Sequence, residues 1–324
     1  MSAPVRIAAF VAALLAIFGL ALVVGRAIGS IGGDSANDEA MHHESTEGSG
    51  SSPDAPAAGA DSEVPGGLMV SSDGYTFDLG QESAPPGRSV PVSFRITGAG
   101  GEPVTAYDVE HEKQLHLIAV RRDLSGFQHV HPTLAANGTW STDLALTAGD
   151  WRLFADFKPT DGEALTLGAD LPVAGKYQPV VNTGESRRNT VDGYEVTIDG
   201  ELVAGTDSRL TLNVIRDGKP VTDLQPYLGA YGHLVALREG DLAYLHVHPE
   251  GTPGDGTTKP GPEVVFYADV PSTGDYRLFL DFQHDAVIRT ASFALSAEDL
   301  GSAEPTEPSE PSPPESGHSG HSGH

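Results

Sequence analysis

The sequence contains no cysteine. Disulfides, thiolate nucleophiles, cysteine-ligated zinc and iron–sulfur clusters are therefore excluded. Any metal site has to be built from imidazole, carboxylate, amide or thioether groups. Thioethers are scarce as well: one of the three methionines is the initiator, which argues against a Met-rich Cu(I) site. Cations are few, with 19 Lys and Arg against 45 Asp and Glu, a formal net charge of −26. Such a chain repels nucleic acid and anionic membrane surfaces. Aromatic residues are only 7% of the total, whereas 39 glycines and 24 prolines punctuate many short apolar runs. Short runs bounded by turn residues favour an all-β chain over a helical one. Nucleophile elbow, P-loop, dinucleotide-binding glycine pattern and paired general acid and base are all missing, so no catalytic residue is assigned and a non-enzyme is expected.

Only one long uncharged stretch occurs, IAAFVAALLAIFGLALVVG between Arg6 and Arg26. It is long enough to cross a bilayer core of roughly 30 Å as a helix, and it lacks a clear Ala-x-Ala cleavage signature. The expectation is an uncleaved signal anchor over residues 1–29, with a cleaved signal peptide and a secreted product as the alternative. Because no further hydrophobic span follows, the bulk of the chain is expected outside the cytoplasmic membrane, which the N-terminal helix would engage. Residues 30–66 are rich in Gly, Ser, Ala, Asp, Glu and Pro and read as a flexible tether. Residues 301–324 form a Pro-rich tail ending in GHSGHSGH.

Between tether and tail lies an internal repeat. GEPVT at 101–105 matches GKPVT at 218–222, and HVHP at 129–132 matches HVHP at 246–249; His116 matches His233, all at an offset of 117 positions. DWRLFADF at 150–157 matches DYRLFLDF at 275–282 after an eight-residue insertion in the second copy. Each copy, 67–175 and 176–300, reads as about seven short strands, with Asn137-Gly138 as a hairpin turn. About a hundred residues with seven strands point to an immunoglobulin-like β-sandwich in each copy. A barrel or jelly roll is the second choice.

The duplicated His-Val-His is the chemical signal. In a strand, residues i and i+2 share a face, so His129 and His131 project together, as do His246 and His248. Two such imidazoles can converge on a metal at about 2.0–2.1 Å per nitrogen. His116 and His233, each 13 positions upstream, are the natural third ligands. Asp156 and Asp281 are expected as a fourth ligand or as acceptors that fix an imidazole tautomer. His284 occurs only in the second copy and would enrich that site if it turned inward, whereas His111, unique to the first, reads as an exposed loop residue. His318, His321 and His324 in the tail can wrap Cu(II), Ni(II) or Zn(II). Duplication preserves structural residues as well as ligands, so a His–Asp network pinning the loops before Pro132 and Pro249 would leave the same pattern.

LHLIAVRRDLSGFQHVHP followed by DWRLFADFKP resembles a membrane-anchored bacterial family carrying that repeated motif. More distantly, the chain resembles the exported YtkA-like and CopC-like β-sandwich domains. The resemblance spans about Gly67 to Leu300 and implies an immunoglobulin-like fold, an extracytoplasmic location and a metal-handling context. The CopC-like N-terminal ligand histidine and Met-rich loops have no counterpart here. The function expected from the sequence is non-catalytic binding of a divalent transition metal, Cu(II) or Zn(II), for sequestration or delivery, with a metal-transport or envelope protein as partner. The alternative is a structural or adhesive envelope protein whose repeated histidines belong to the scaffold.

Overall fold

The computed structural model describes residues 64–181 and 184–299. The expected signal anchor, the tether up to residue 63, and the tail with His318, His321 and His324 lie outside the described residues. Among the described residues, no helix is long and apolar enough to cross a membrane. The first copy contains β1 (Ser71–Ser72), β2 (Tyr75–Leu79), β3 (Gly87–Thr97), β4 (Leu115–Arg121), β5 (Gln128–Val130), β6 (Thr133–Leu134), β7 (Trp140–Leu146), β8 (Gly149–Phe157) and β9 (Leu165–Val173). The second contains β10 (Arg188–Val191), β11 (Tyr194–Asp199), β12 (Leu202–Val203), β13 (Asp207–Arg216), β14 (Lys219–Pro220), β15 (His233–Arg238), β16 (Tyr244–Leu245), β17 (Val247–Pro249), β18 (Glu263–Asp269), β19 (Gly274–His284) and β20 (Val287–Glu298). Each copy is a two-sheet β-sandwich, as the strand-and-turn pattern predicts. The first pairs a β1-β2-β3-β7-β6 sheet with a β5-β4-β8-β9 sheet. The second pairs a β10-β11-β13-β18-β17 sheet, with β14 on β13, against a β12-β20-β19-β15-β16 sheet.

Two kinds of strand build these sandwiches. In β3, Val90, Val92, Phe94 and Ile96 are buried while Pro91 and Arg95 face water. Period-two alternation of this kind marks a strand with one wet face. In β4, LHLIAVR, every residue is buried. Leu115, Leu117 and Ala119 join the first sandwich core around Trp140 and Trp151. The opposite face of β4 carries His116, Ile118 and Val120, and it is covered by the second copy. Strand β15 repeats the arrangement: Leu234 and Ala236 enter the second core, and Val235 and Leu237 turn to the first copy.

The seam between the copies is an apolar layer of Ile118, Val120, Leu124 and Phe154 against Val235, Leu237, Leu242 and Phe279. Its contacts are reciprocal. Phe127 stacks on Phe279 with ring centroids 4.0 Å apart, and their counterparts Tyr244 and Phe154 meet at 5.7 Å. Residue i touching j′ while j touches i′ is the signature of a two-fold interface. The counterparts His116 and His233 stack on each other, 5.5 Å apart and 8° from parallel, which places them beside that pseudo-axis.

A strap at residues 64–69 breaks the symmetry. Gly67 N donates to Thr166 O, Tyr244 N donates to Gly66 O, and Arg152 donates to the carbonyls of Gly67 and Leu68. The strap thereby joins β9 of one copy to Tyr244 of the other. Gly168 permits the approach, because a Cβ there would lie 2.1 Å from Gly67 O. We expect Gly168→Ala to displace the strap and destabilise the protein by about 1–3 kcal/mol, the usual range for overpacking. An unchanged melting temperature together with unchanged protease resistance at 64–69 would show that the strap does not depend on this contact.

Candidate metal centre

The hairpin β4–β5 sets the site. Leu117 pairs with Val130 and Ile118 with His129, so Val130 packs on the first core while His129 and His131 turn to the seam. There they meet His116, the outward residue of β4. The imidazoles of His116, His129 and His131 offer nitrogens that all lie within 4.8 Å of one another. His116 Nδ1 stands 3.0 Å from His129 Nε2. The group is deep: His116 is 3% exposed and the His129 side chain 1%.

The outer nitrogens fix the tautomers. His116 Nε2 lies 3.1 Å from the carbonyl oxygen of Glu110. A carbonyl only accepts, so Nε2 carries the hydrogen and Nδ1 keeps its lone pair. His129 Nδ1 lies 2.9 Å from Asp281 Oδ2, and an ionised carboxylate likewise accepts, leaving His129 Nε2 with its lone pair. Two lone pairs then face each other at 3.0 Å. That arrangement requires a cation between them, either a proton or a metal ion. His131 Nε2 is buried without a hydrogen-bond partner, a cost of about 1–3 kcal/mol for an unsatisfied polar group and the feature of an unfilled ligand position. Burial lowers the His116 pKa to about 4 and that of His131 to about 3, with neighbouring imidazoles adding to the shift. Both rings are therefore neutral at pH 7, the form that binds metals.

The donor set fits a divalent ion of the Zn(II) or Cu(II) type. Imidazole suits these metals, and two ligand nitrogens about 2.0–2.1 Å from a tetrahedral ion sit only a few tenths of an ångström farther apart than His116 and His129 do here. The carbonyl of Glu110 and the carboxylate of Asp281 hold the far nitrogens, as partners behind metal-bound imidazoles commonly do.

The remaining candidates are placed differently. Asp281 belongs to the second copy yet supports a histidine of the first, and Thr290 Oγ1 donates to its other oxygen at 2.5 Å. Its counterpart Asp156 faces His116 across the β4–β8 pair, and there Thr166 Oγ1 donates to it. Burial raises the Asp156 pKa. His233 lies 4.8 Å from His129 by ring centroids, and burial with four neighbouring imidazoles lowers its pKa well below the usual value.

His246 and His248 do not form a second copy of the centre. The chain leaves β15 after Leu245 and crosses to the other sheet, where Val247, His248 and Pro249 pair with Ala268, Tyr267 and Phe266 of β18. In the first copy the corresponding crossing comes only after Val130. His246 and His248 are consequently exposed, their rings 5.8 Å apart, and His248 stacks on Tyr267. His284 turns inward but away from the seam. Tyr194 Oη lies 2.7 Å from its Nδ1, and its Nε2 lies 3.0 Å from Asp223 Oδ1. With both nitrogens engaged, it ties β19 to β11 and adds nothing to a second centre.

Two participants lacked a sequence signal. Glu110 acts through its backbone oxygen, which no side-chain pattern reports. His111 sits at the tip of a tight turn closed by Glu110 and Lys113, exposed as expected, yet its ring lies 5.6 Å from that of His233 and 6.1 Å from that of His116.

A family model described as Domain of unknown function (DUF8832) matches residues 70–175 and again 189–299. The chain belongs to this family. No curated protein matches it. Among solved structures, it is similar to the Escherichia coli adhesin FdeC at 15% identity and a TM-score of 0.21, over 70% of this chain and 65% of that one. It is also similar to the Yersinia pseudotuberculosis adhesin InvE at 12% identity and 0.22, over 73% and 61%. A marsupial T cell receptor matches at 11% and 0.22, over 69% and 99%. The chain thus spans less than two thirds of the length of the two adhesins. Scores this low carry none of these proteins' roles to this chain.

Proposed function

We propose that this DUF8832 protein binds one divalent transition metal, Zn(II) or Cu(II), at His116, His129 and His131, and holds it without catalysis for storage or delivery outside the cytoplasm. The observation that carries this reading is the 3.0 Å approach of His116 Nδ1 and His129 Nε2, whose outer nitrogens both face acceptors, in a group completed by His131, whose Nε2 is buried without a partner. Binding replaces the proton that the metal-free pair must share, so uptake releases protons. The location rests on the apolar N-terminal segment, with no further hydrophobic span after it in the sequence.

A second reading keeps that proton permanently. His129 would then be an imidazolium paired with Asp281 across the seam, a scaffold element of an envelope protein. The His129–Asp281 contact, which joins the two copies, supports it.

Calorimetric titration separates the two. The full chain with the two histidines of the tether, His42 and His43, and the tail histidines His318, His321 and His324 replaced by Ala, stripped with chelator, should bind one Zn(II) or Cu(II), with a heat that varies with the ionisation enthalpy of the buffer. The same chain carrying His131→Ala should lose that site. No saturable binding in the parent chain would leave the scaffold reading standing.

A further inference from the structure

A centre this deep needs a way in. A cavity of about 540 Å³ opens at the seam. His111, His116, His233 and His246 line it, together with Glu110 and Asp156. His129 and His131 do not. His116 is therefore shared: it lines the cavity, and its Nδ1 faces His129 in the buried centre. His233 also borders both, since it lines the cavity and its ring lies 4.8 Å from that of His129.

Exposure grades along this line. His111 and His246 are exposed, His233 is half-buried and His116 is buried. His111 lies within 5.6 Å of His233, and His233 stacks on His116 at 5.5 Å. Imidazoles whose ring centres lie 5.5–5.6 Å apart offer a divalent ion successive nitrogen donors. Asp73, Glu110 and Asp269 outnumber Lys113 and Lys158 among the residues lining it, and negatively lined clefts concentrate cations. The early departure of the second His-Val-His from its sheet leaves His246 at the rim, and the strap at 64–69 forms another wall.

We propose that this cavity is the loading path for the divalent cation, with His111 and His246 as capture ligands at the mouth and His233 as the relay to His116. The proposal rests on the metal-binding reading above and adds a function for the second-copy histidines. None of these three side chains is a permanent ligand, so they act on the rate of entry and leave the final coordination unchanged.

Co(II) makes a visible probe, because its absorption reports both uptake and geometry. Stopped-flow mixing of Co(II) with the full chain, its five tether and tail histidines replaced by Ala, gives the loading rate; equilibrium titration gives the affinity and the spectrum. His111→Ala with His246→Ala should slow loading about tenfold and leave affinity and spectrum unchanged. Both residues are exposed, so folding is not at stake, and His233→Gln gives a second, independent point with the same expected pattern. Loading at the parent rate would overturn the path. A changed spectrum or lost affinity would also overturn it, because the cavity histidines would then belong to the holding site. Absence of any Co(II) spectrum in the parent chain would sink the metal-binding reading itself, and the path with it.

Discussion

Asp281→Ala is expected to destabilise the metal-free protein by about 3–5 kcal/mol, the range for removing one partner of a buried charged hydrogen bond, and to weaken metal binding roughly 10–100-fold. The carboxylate accepts from His129 Nδ1 at 2.9 Å and from Thr290 Oγ1, and it is 3% exposed. Its loss leaves an imidazole N–H with no acceptor and frees His129 to rotate its ligand nitrogen away from His116. The counterpart change, Asp156→Asn, supplies the contrast. A carboxyl whose folded pKa is raised adds stability only below its ordinary pKa and costs stability above it. At pH 7 the neutral amide should therefore leave the melting temperature unchanged or higher, with Thr166 still able to donate to Oδ1. Urea unfolding of both variants, followed by metal titration of each, tests the pair. Equal and small effects of the two substitutions would mean that the cross-copy contact does not organise the centre.

Phe279→Ala should have a comparable effect by a different route. Its ring is stacked on Phe127 in the middle of the apolar seam, and truncating a buried Phe to Ala typically costs about 3–5 kcal/mol. The two sandwich cores are separate clusters, and this layer is what couples them. Differential calorimetry of the parent chain should show one cooperative transition, and the variant should resolve into two, with weaker metal binding because Asp281 no longer sits against His129. A single transition shifted by less than about 0.5 kcal/mol, the size of an ordinary surface substitution, would show that the copies are not coupled through Phe279.

Much of the sandwich is legible in the residues themselves. The alternation in VPVSFRI and SRLTLNV marks one-faced strands, and the repeated HVHP marks corresponding regions of the two copies. The grouping of His116, His129 and His131 follows from strand geometry, because an i, i+2 pair and a neighbouring strand share a face. The partner of His129 does not follow. Nothing local says that its carboxylate comes from Asp281 of the other copy instead of Asp156, because the seam is a long-range fact. The only hint is LHLIAV, apolar at every position but His116, a pattern that a strand with one wet face would not need. The divergence of His246 and His248 also has a trace in the sequence: the Asp-Leu pair stands six residues before the first His of one motif and five before the other. Equal motifs need not occupy equal positions in a sheet when the turn that feeds them has shifted.

The pseudo-two-fold seam has a consequence for how such a chain could arise. A single sandwich carrying this outer face would expose Ile118, Val120 and Phe154 or their counterparts, and two of them would pair as a symmetric homodimer with identical His–Asp contacts on both sides of the axis. Joining the halves in one polypeptide removes the demand that both sides be identical. One half is then free to keep three imidazoles converging, while the other turns the same motif outward beside an open cavity.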